Sequence, residues 1–471
     1  MKKLLFSIIF FVFSVFANTL PELGSTFDNL LSISDQKKIK FQIMNQIYSN
    51  SSVIRDPEIN DYISSLGKNL IVNGSDQKPN IYFFVQNDDS INAFAMLGDI
   101  IGVHTGLIMA ANSESELASV LSHEIAHITQ KHLLRLFDNQ AKNSYKTFLS
   151  MAFAILVARS NPQLASGILA AGNASQTQSL LDYTRENEKE ADRIGLTILE
   201  KSGFDPKGAL DFFSTLQSFN EFSSGPAPSF LRTHPITSDR ISDIQDRLND
   251  YDYFQKSNSE DFYLIKAKLK ALNGDSYSSI NYFRNQINSK QNLDMNSYYF
   301  GITYSLLVKN KIKEARENFE KLVDSGISSP MLIELHANLL IKEKKYQEAF
   351  DLYRLGLNKY PLYRAFIFGM SNLLLQSNQS DKVIELLSNY LSTYDKDSIF
   401  YELLAKAHNQ KRNYLLEHEN LSDAYYFQFD IQNAISQMDL ATKTNSEDFF
   451  EKSRVEHRLK ELRKEAELMN N

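Results

Sequence analysis

A 34-residue recurrence limits what the second half of this chain can become. Ala315 and Ala349 lie 34 residues apart, and each is followed four residues later by an aromatic, Phe319 and Tyr353. Pro361 stands twelve residues after Ala349, where a helix should already have ended. Weaker copies surround this pair: Ala267 with Ser279 and Phe283 before it, Val383 with Leu387 after it, and Ala434 with Met438 and Ala441 last. From about Asp250 onward strand signals vanish and helix-length units follow one another. A unit of this length is one helix pair, which cannot bury its apolar face alone and must stack on its neighbours. An irregular helical bundle would give no reason for a fixed period. The small residues recur where adjacent helices cross closely, so they belong to packing and not to chemistry.

The first half has a different texture. Residues 21–77 read as helical, with an amphipathic run over Ile54–Leu70. Asn80–Val85 is β-rich, and Asn92–Met96 and Ile100–Val103 read as two more strands around the turn residues Gly98-Asp99. A helix is predicted over Ser113–Phe137, with Ser113 and Ser115 as N-cap candidates and Glu114 and Glu116 in its first turn. Further helices are predicted over Leu180–Ser202 and Pro206–Asn220, with a loop over Ser223–Ser229. Met151–Ala158 and Leu164–Ala171 are apolar but too short to span a bilayer, and read as a mobile flap near the active site. The expected fold class is α+β, a mainly helical domain with a small β-sheet, followed by an α-solenoid whose Lys345–Pro361 segment resembles the second helix of a tetratricopeptide repeat. The domains divide as 1–17, 18–250 and 251–471.

Residues 1–17 read as a cleavable secretory signal. Lys2 and Lys3 precede the apolar run Leu4–Phe16, and Val15-Phe16-Ala17 supplies small residues for cleavage. The alternative is an uncleaved membrane anchor, which would need roughly 20 apolar residues. Export would place the protein in the periplasm, with at most peripheral membrane contact. The net charge of −7 argues against nucleic acid or anionic lipid as the main partner. The absence of cysteine excludes disulfides and thiolate zinc sites, so any zinc must be held by His and carboxylates.

The chemistry sits in His123-Glu124-Ile125-Ala126-His127. Residues four apart on a helix lie one above the other, so both imidazoles face one point and can bind one divalent ion. Glu124 lies about 100° around the helix, placed to serve as general base toward an activated water. The competing reading is a pair of packed histidines, which would be costly on an apolar helix without partners. A third ligand should come from Asn187–Asp192, where Glu188 and Asp192 share one helical face. One of the two can ligate while the other accepts a proton from an imidazole. Glu190 points elsewhere and is expected to be solvated. His132 falls off the metal face and reads as a helix-end residue, and His104 as packing beside a strand.

His123, Glu124 and His127, followed by Glu188 and Asp192, resemble the zinc metalloproteases that include the bacterial HtpX-like enzymes and the CAAX prenyl proteases. Asn92-Ala-Phe-Ala95 and His104-Thr-Gly-Leu107 match an upstream edge strand of that group, and Thr233-His234-Pro235 with Arg240 a downstream loop. The resemblance implies one zinc ion per chain held by His123, His127 and Glu188, with Glu124 as catalytic base and Asp192 supporting a ligand from behind. It also implies that Asn92, Ala93, Phe94 and Ala95 hold substrate as an added β-strand. His234, read as lying in an exposed turn, would be a fourth ligand or gate on zinc's open position, and Arg240 an auxiliary. Where relatives carry a Gly/Pro-rich turn this chain has Met96-Leu-Gly-Asp99, which leaves the substrate strand's geometry open. The family's periplasmic members with tetratricopeptide tails imply protein substrates, misassembled outer-membrane proteins among them, docked with their assembly machinery through the repeats. A latent protease serving as chaperone or adaptor is the reading from another class.

Overall fold

The computed structural model describes residues 33–49, 52–138, 174–222, 228–249, 251, 256–273, 275–289, 295–394, 396–445 and 448–470. The signal segment, the apolar segment 151–171 and most of the Ser223–Ser229 loop lie outside the described residues.

Three strands form a small mixed sheet in the order β1-β3-β2: β1 Tyr82–Gln86, β2 Ala93–Met96 and β3 Ile100–His104. β1 and β3 run parallel, with Tyr82 opposite Ile100, and β2 returns antiparallel with Ala95 opposite Ile101. Gly98 and Asp99 close the β2–β3 hairpin with positive φ of 84° and 56°, which suits a glycine and a short polar residue. β2 lies at one edge of the sheet, and its four residues are all buried.

The helix Glu114–Thr129 lies beneath that edge. Ser113 caps it, its hydroxyl accepting from the Glu116 amide at 3.1 Å. Leu117, Ala118, Val120, Leu121 and Ile125 are at most 2% exposed, and each large apolar side chain buried this way contributes about 1.5–3 kcal/mol. This helix stops at Thr129, eight residues before the predicted end at Phe137. Lys131 takes a left-handed φ of 54°, and a short helix restarts over His132–Asp138. The helix Ala174–Lys201 packs across it, and the approach is close at Gly195, where an added Cβ would lie 3.2 Å from the His123 backbone. Helices Gly208–Phe222 and Ser238–Leu248 complete this part. The predicted run Ile54–Leu70 is a helix over Pro57–Asn69, capped by Asp56.

From Glu260 every described element is a helix. Helices begin at Ile312, Tyr346, Ser380 and Tyr414, 34 residues apart, alternating with helices that begin at Pro330, Arg364 and Ser398 at the same interval. The turns joining each pair carry Asn310, Lys344, Asn378 and Arg412, all with φ between 53° and 63°. Ala315, Ala349 and Val383 occupy the fourth position of their helices and are fully buried. Ala434 is equally buried but belongs to the helix Ile431–Thr442, which is the other member of its pair. It is therefore half a period out of phase with Ala349, a correction to the repeat register read from sequence.

The repeats pack against the first part through buried polar groups. Lys268 Nζ lies 2.6 Å from both Glu58 and Asp56, and Tyr363 donates to Glu58 at 2.6 Å. At the far end Phe429 sets its ring against Phe41, Tyr48 and Tyr82, and Asn45 donates to the Phe429 carbonyl.

Candidate metal centre

The motif helix projects His123 and His127 to one side, and their Nε2 atoms face each other at 3.0 Å. The crossing helix supplies Glu188, whose carboxylate oxygens lie 3.3 Å from His123 Nε2 and 3.4 Å from His127 Nε2. His234 comes from the turn after the short helix Ser229–Thr233, its Nδ1 at 2.9 Å and 3.0 Å from the Glu188 oxygens and 3.3 Å from His123 Nε2. One potential ligand atom from each of these four residues lies within 4.8 Å of the others. His234 is 6% exposed and stacked on Phe230, with ring centroids 4.7 Å apart. The expectation of an exposed turn is corrected: Pro235 is followed by Thr237 as the N-cap of the next helix, and the imidazole is packed inward.

Behind His123, the Asp192 carboxylate lies 3.0 Å from Nδ1. Arg240 grips the same carboxylate with two hydrogen bonds, Nε at 2.6 Å and Nη2 at 2.7 Å, and reaches Glu188 with Nη1 at 3.1 Å. Arg240 also donates to the Pro235 carbonyl at 2.9 Å, which ties it to the His234 turn. Glu124 accepts from the Ala95 amide at 2.7 Å through Oε2, while its Oε1 lies 3.4 Å from His234 Nε2. Of the edge strand, Ala93 and Ala95 turn their amides outward. Asn92 faces β3 instead, its carbonyl accepting from the His104 amide at 3.0 Å, and the alternation carries Phe94 the same way.

Ionisation is shifted throughout the cluster. Burial disfavours a charged His123, but Asp192 and Glu188 outweigh it and lift the ring to about 10, whereas burial carries His127 down to about 4. Burial would raise Glu188, yet the charge of His234 and hydrogen bonds to His123 and His127 hold it well below the usual carboxylate range. Burial likewise opposes ionised Asp192, and Arg240 and His123 keep its pKa below normal.

Sequence reasoning missed one contact on each of two residues. His132 lies outside the four converging donors and opens a helix, as expected, but its Nδ1 is 2.8 Å from His127 Nδ1. Glu190 keeps some exposure but is paired: it lies 3.0 Å from His132 Nε2 and 3.1 Å from Arg135 Nη1. The hydrogen bond to His132 dominates against burial and takes Glu190 down to about 2. The break at Lys131 has no strong sequence signal, since Gln130-Lys131 continues a helical pattern. His104 pairs with Ser90, Nδ1 to Oγ at 2.8 Å, as a strand-side residue should.

The residues fit a divalent cation. Three imidazoles and a carboxylate converge, and beside them Glu124 Oε1 and His234 Nε2 are buried without a hydrogen-bond partner, an arrangement that costs free energy unless a cation balances it. Nitrogen and oxygen donors without thiolate suit zinc, though other divalent ions accept the same set. A His-x-x-x-His pair crossed by a carboxylate-bearing helix, with a glutamate beside it, defines the class of metallopeptidases.

The sequence matches the model of Peptidase family M48 over residues 57–248. It is 30% identical over 457 residues to the beta-barrel assembly-enhancing protease of Escherichia coli K12, covering 95% of this chain and 92% of that protein. It is also 28% identical over 223 residues to the E. coli metalloprotease YcaL, covering 46% of this chain and 79% of that one. Against the mitochondrial metalloendopeptidase OMA1 of Schizosaccharomyces pombe it is 32% identical over 189 residues, covering 40% and 52%. The chain belongs to peptidase family M48 and is a metalloendopeptidase.

Proposed function

We propose that this chain is an exported zinc endopeptidase of the bacterial periplasm that removes misassembled outer-membrane proteins. Residues 18–250 form its catalytic domain, and 251–471 its partner-docking repeats. The observation that carries the reading is the convergence of His123, His127, Glu188 and His234 beside the buried Glu124. The relative's name supplies the biological setting, and the net charge of −7 agrees with protein rather than nucleic-acid partners. Among the described residues no helix is long and apolar enough to cross a membrane.

In this reading His123, His127 and Glu188 would hold one zinc ion, which would supply a Lewis acid toward water and the scissile carbonyl. Glu124 takes the water's proton and passes it to the leaving nitrogen. The outward amide of Ala95 and its neighbour Ala93 align the substrate as an extra strand. Asp192 accepts from His123 Nδ1 and fixes that ring's orientation, and Arg240 anchors Asp192. The bond from Arg240 to the Pro235 carbonyl supports an added role in seating His234.

His234 converges with His123, His127 and Glu188 and sets its Nε2 3.4 Å from Glu124 Oε1, which favours a gated resting state. That same contact favours the second reading, a chaperone or adaptor whose protease is latent. Zinc content and casein cleavage by the mature chain, beside Glu124→Gln, test both. About one zinc per chain, with cleavage abolished by Glu124→Gln, supports the peptidase. Zinc without cleavage in any version favours the adaptor, and a chain that takes up no metal ends both accounts of the centre.

A further inference from the structure

His127 is backed by a second histidine where His123 is backed by a carboxylate. His123 Nδ1 faces Asp192 at 3.0 Å. His127 Nδ1 faces His132 Nδ1 at 2.8 Å, and His132 Nε2 faces Glu190 at 3.0 Å. Arg135 steadies that carboxylate at 3.1 Å and is itself held by its Nε donating to the Gln130 carbonyl at 2.6 Å. His132 is 4% exposed, so water is not available to substitute for it.

This contact is built by the break between the two helices. On an unbroken helix residues five apart are separated by about 140° of arc and cannot meet. The left-handed Lys131, φ 54°, ends one helix and restarts another, folding His132 back over His127. A non-glycine residue in that conformation persists where surrounding contacts hold it.

Two facing nitrogens at 2.8 Å need one proton between them. If His127 is to offer Nε2 as a lone pair, its proton sits on Nδ1 and must be accepted by His132 Nδ1. The proton of His132 then sits on Nε2, where Glu190 accepts it. Glu190 therefore selects the tautomer of His132, and His132 selects that of His127. We infer that His132, set by Glu190, is a positioning residue that holds His127 in its metal-binding tautomer. The inference rests on the reading of His127 as a ligand.

The test is zinc affinity of the full mature chain, measured by competition with a chelator, beside the melting temperature of the zinc-stripped protein. His132→Leu fills the space without an acceptor and should weaken zinc binding about 10- to 100-fold, as loss of an outer partner of a ligating histidine does. His132→Asn places Oδ1 near the lost Nδ1 and should keep affinity close to the parent. Glu190→Leu, on the half-buried side of the chain, should weaken binding as well, and serves if His132→Leu does not fold. Parent-like affinity in His132→Leu or Glu190→Leu overturns the inference, and so does an equal loss in His132→Leu and His132→Asn, which would report packing. His127→Ala separates the two levels: if zinc binding survives it, the ligand reading itself has failed.

Discussion

The backbone amide of Ala95 donates to Glu124 Oε2 at 2.7 Å, so the free donor of the edge strand and the carboxylate beside the centre occupy one another. In the proposed reading, a substrate strand added at that edge would take the Ala95 amide for itself and free Glu124 Oε2 to act as base. Glu124→Gln keeps an acceptor for Ala95 and removes only the base. Cleavage of a fluorogenic casein should fall about 10²- to 10⁴-fold while zinc content stays at that of the parent. Retained cleavage would remove Glu124 from the proposed role.

Arg240 and Asp192, 3% and 7% exposed, form a buried bidentate pair. Arg240→Met should lower the stability measured by urea unfolding by about 3–5 kcal/mol, because it takes the guanidinium from two buried carboxylates, Asp192 and Glu188. Arg240→Lys should recover little, since an ammonium cannot reproduce the two-pronged contact. The Asp192 pKa is lowered in the folded chain. Its contribution is therefore present above the unfolded value of about 3.9 and lost as pH falls through the lower folded one. The penalty of Arg240→Met should accordingly shrink in acid, and a penalty that grows there would contradict the pairing.

Glu334 is half-buried at the junction of the repeats with the first part, and its Oε2, sealed from solvent, has no hydrogen-bond partner. Burial, reinforced by the charge of Glu58, raises its carboxyl to about 8. A folded pKa above the unfolded value of about 4.3 means full stabilisation below about 4.3, lost as pH rises through the folded value. Glu334→Gln cannot ionise, so its melting temperature should gain on the parent between pH 5 and 9. A constant difference over that range would refute the shift.

His234→Ala should raise casein cleavage while leaving the zinc content unchanged, because His123, His127 and Glu188 remain. Nothing else in the arrangement predicts a gain from deleting a buried, stacked side chain. Lower activity with unchanged zinc would make His234 a working part of the site and not its gate.

The sequence carried much of this because helical spacing is rigid. His123 and His127 meet for the same reason Glu188 and Asp192 share a face, and the alternating strands around Gly98-Asp99 are local hairpin chemistry. Repeat register was readable where Ala315 and Ala349 mark it, and misleading at Ala434, because a small buried residue suits either helix of a pair. His132 was out of reach because its position depends on one backbone angle at Lys131, a residue type that does not announce a helix break. The inward packing of His234 depends on Phe230 and Arg240, and such long-range contacts leave no periodic trace.

Phe429 sits between Phe41, Tyr48 and Tyr82, while Gln42 donates to the Met469 carbonyl and Arg55 pairs with Glu402. An open array of helix pairs has a free tail that can fray one pair at a time. This one is knotted back, in the sense of a belt and not of a threaded chain, onto the first described helix. Its last pairs share their fate with the sheet that carries the edge strand, so the molecule should come apart as one cooperative unit and not unravel from its end.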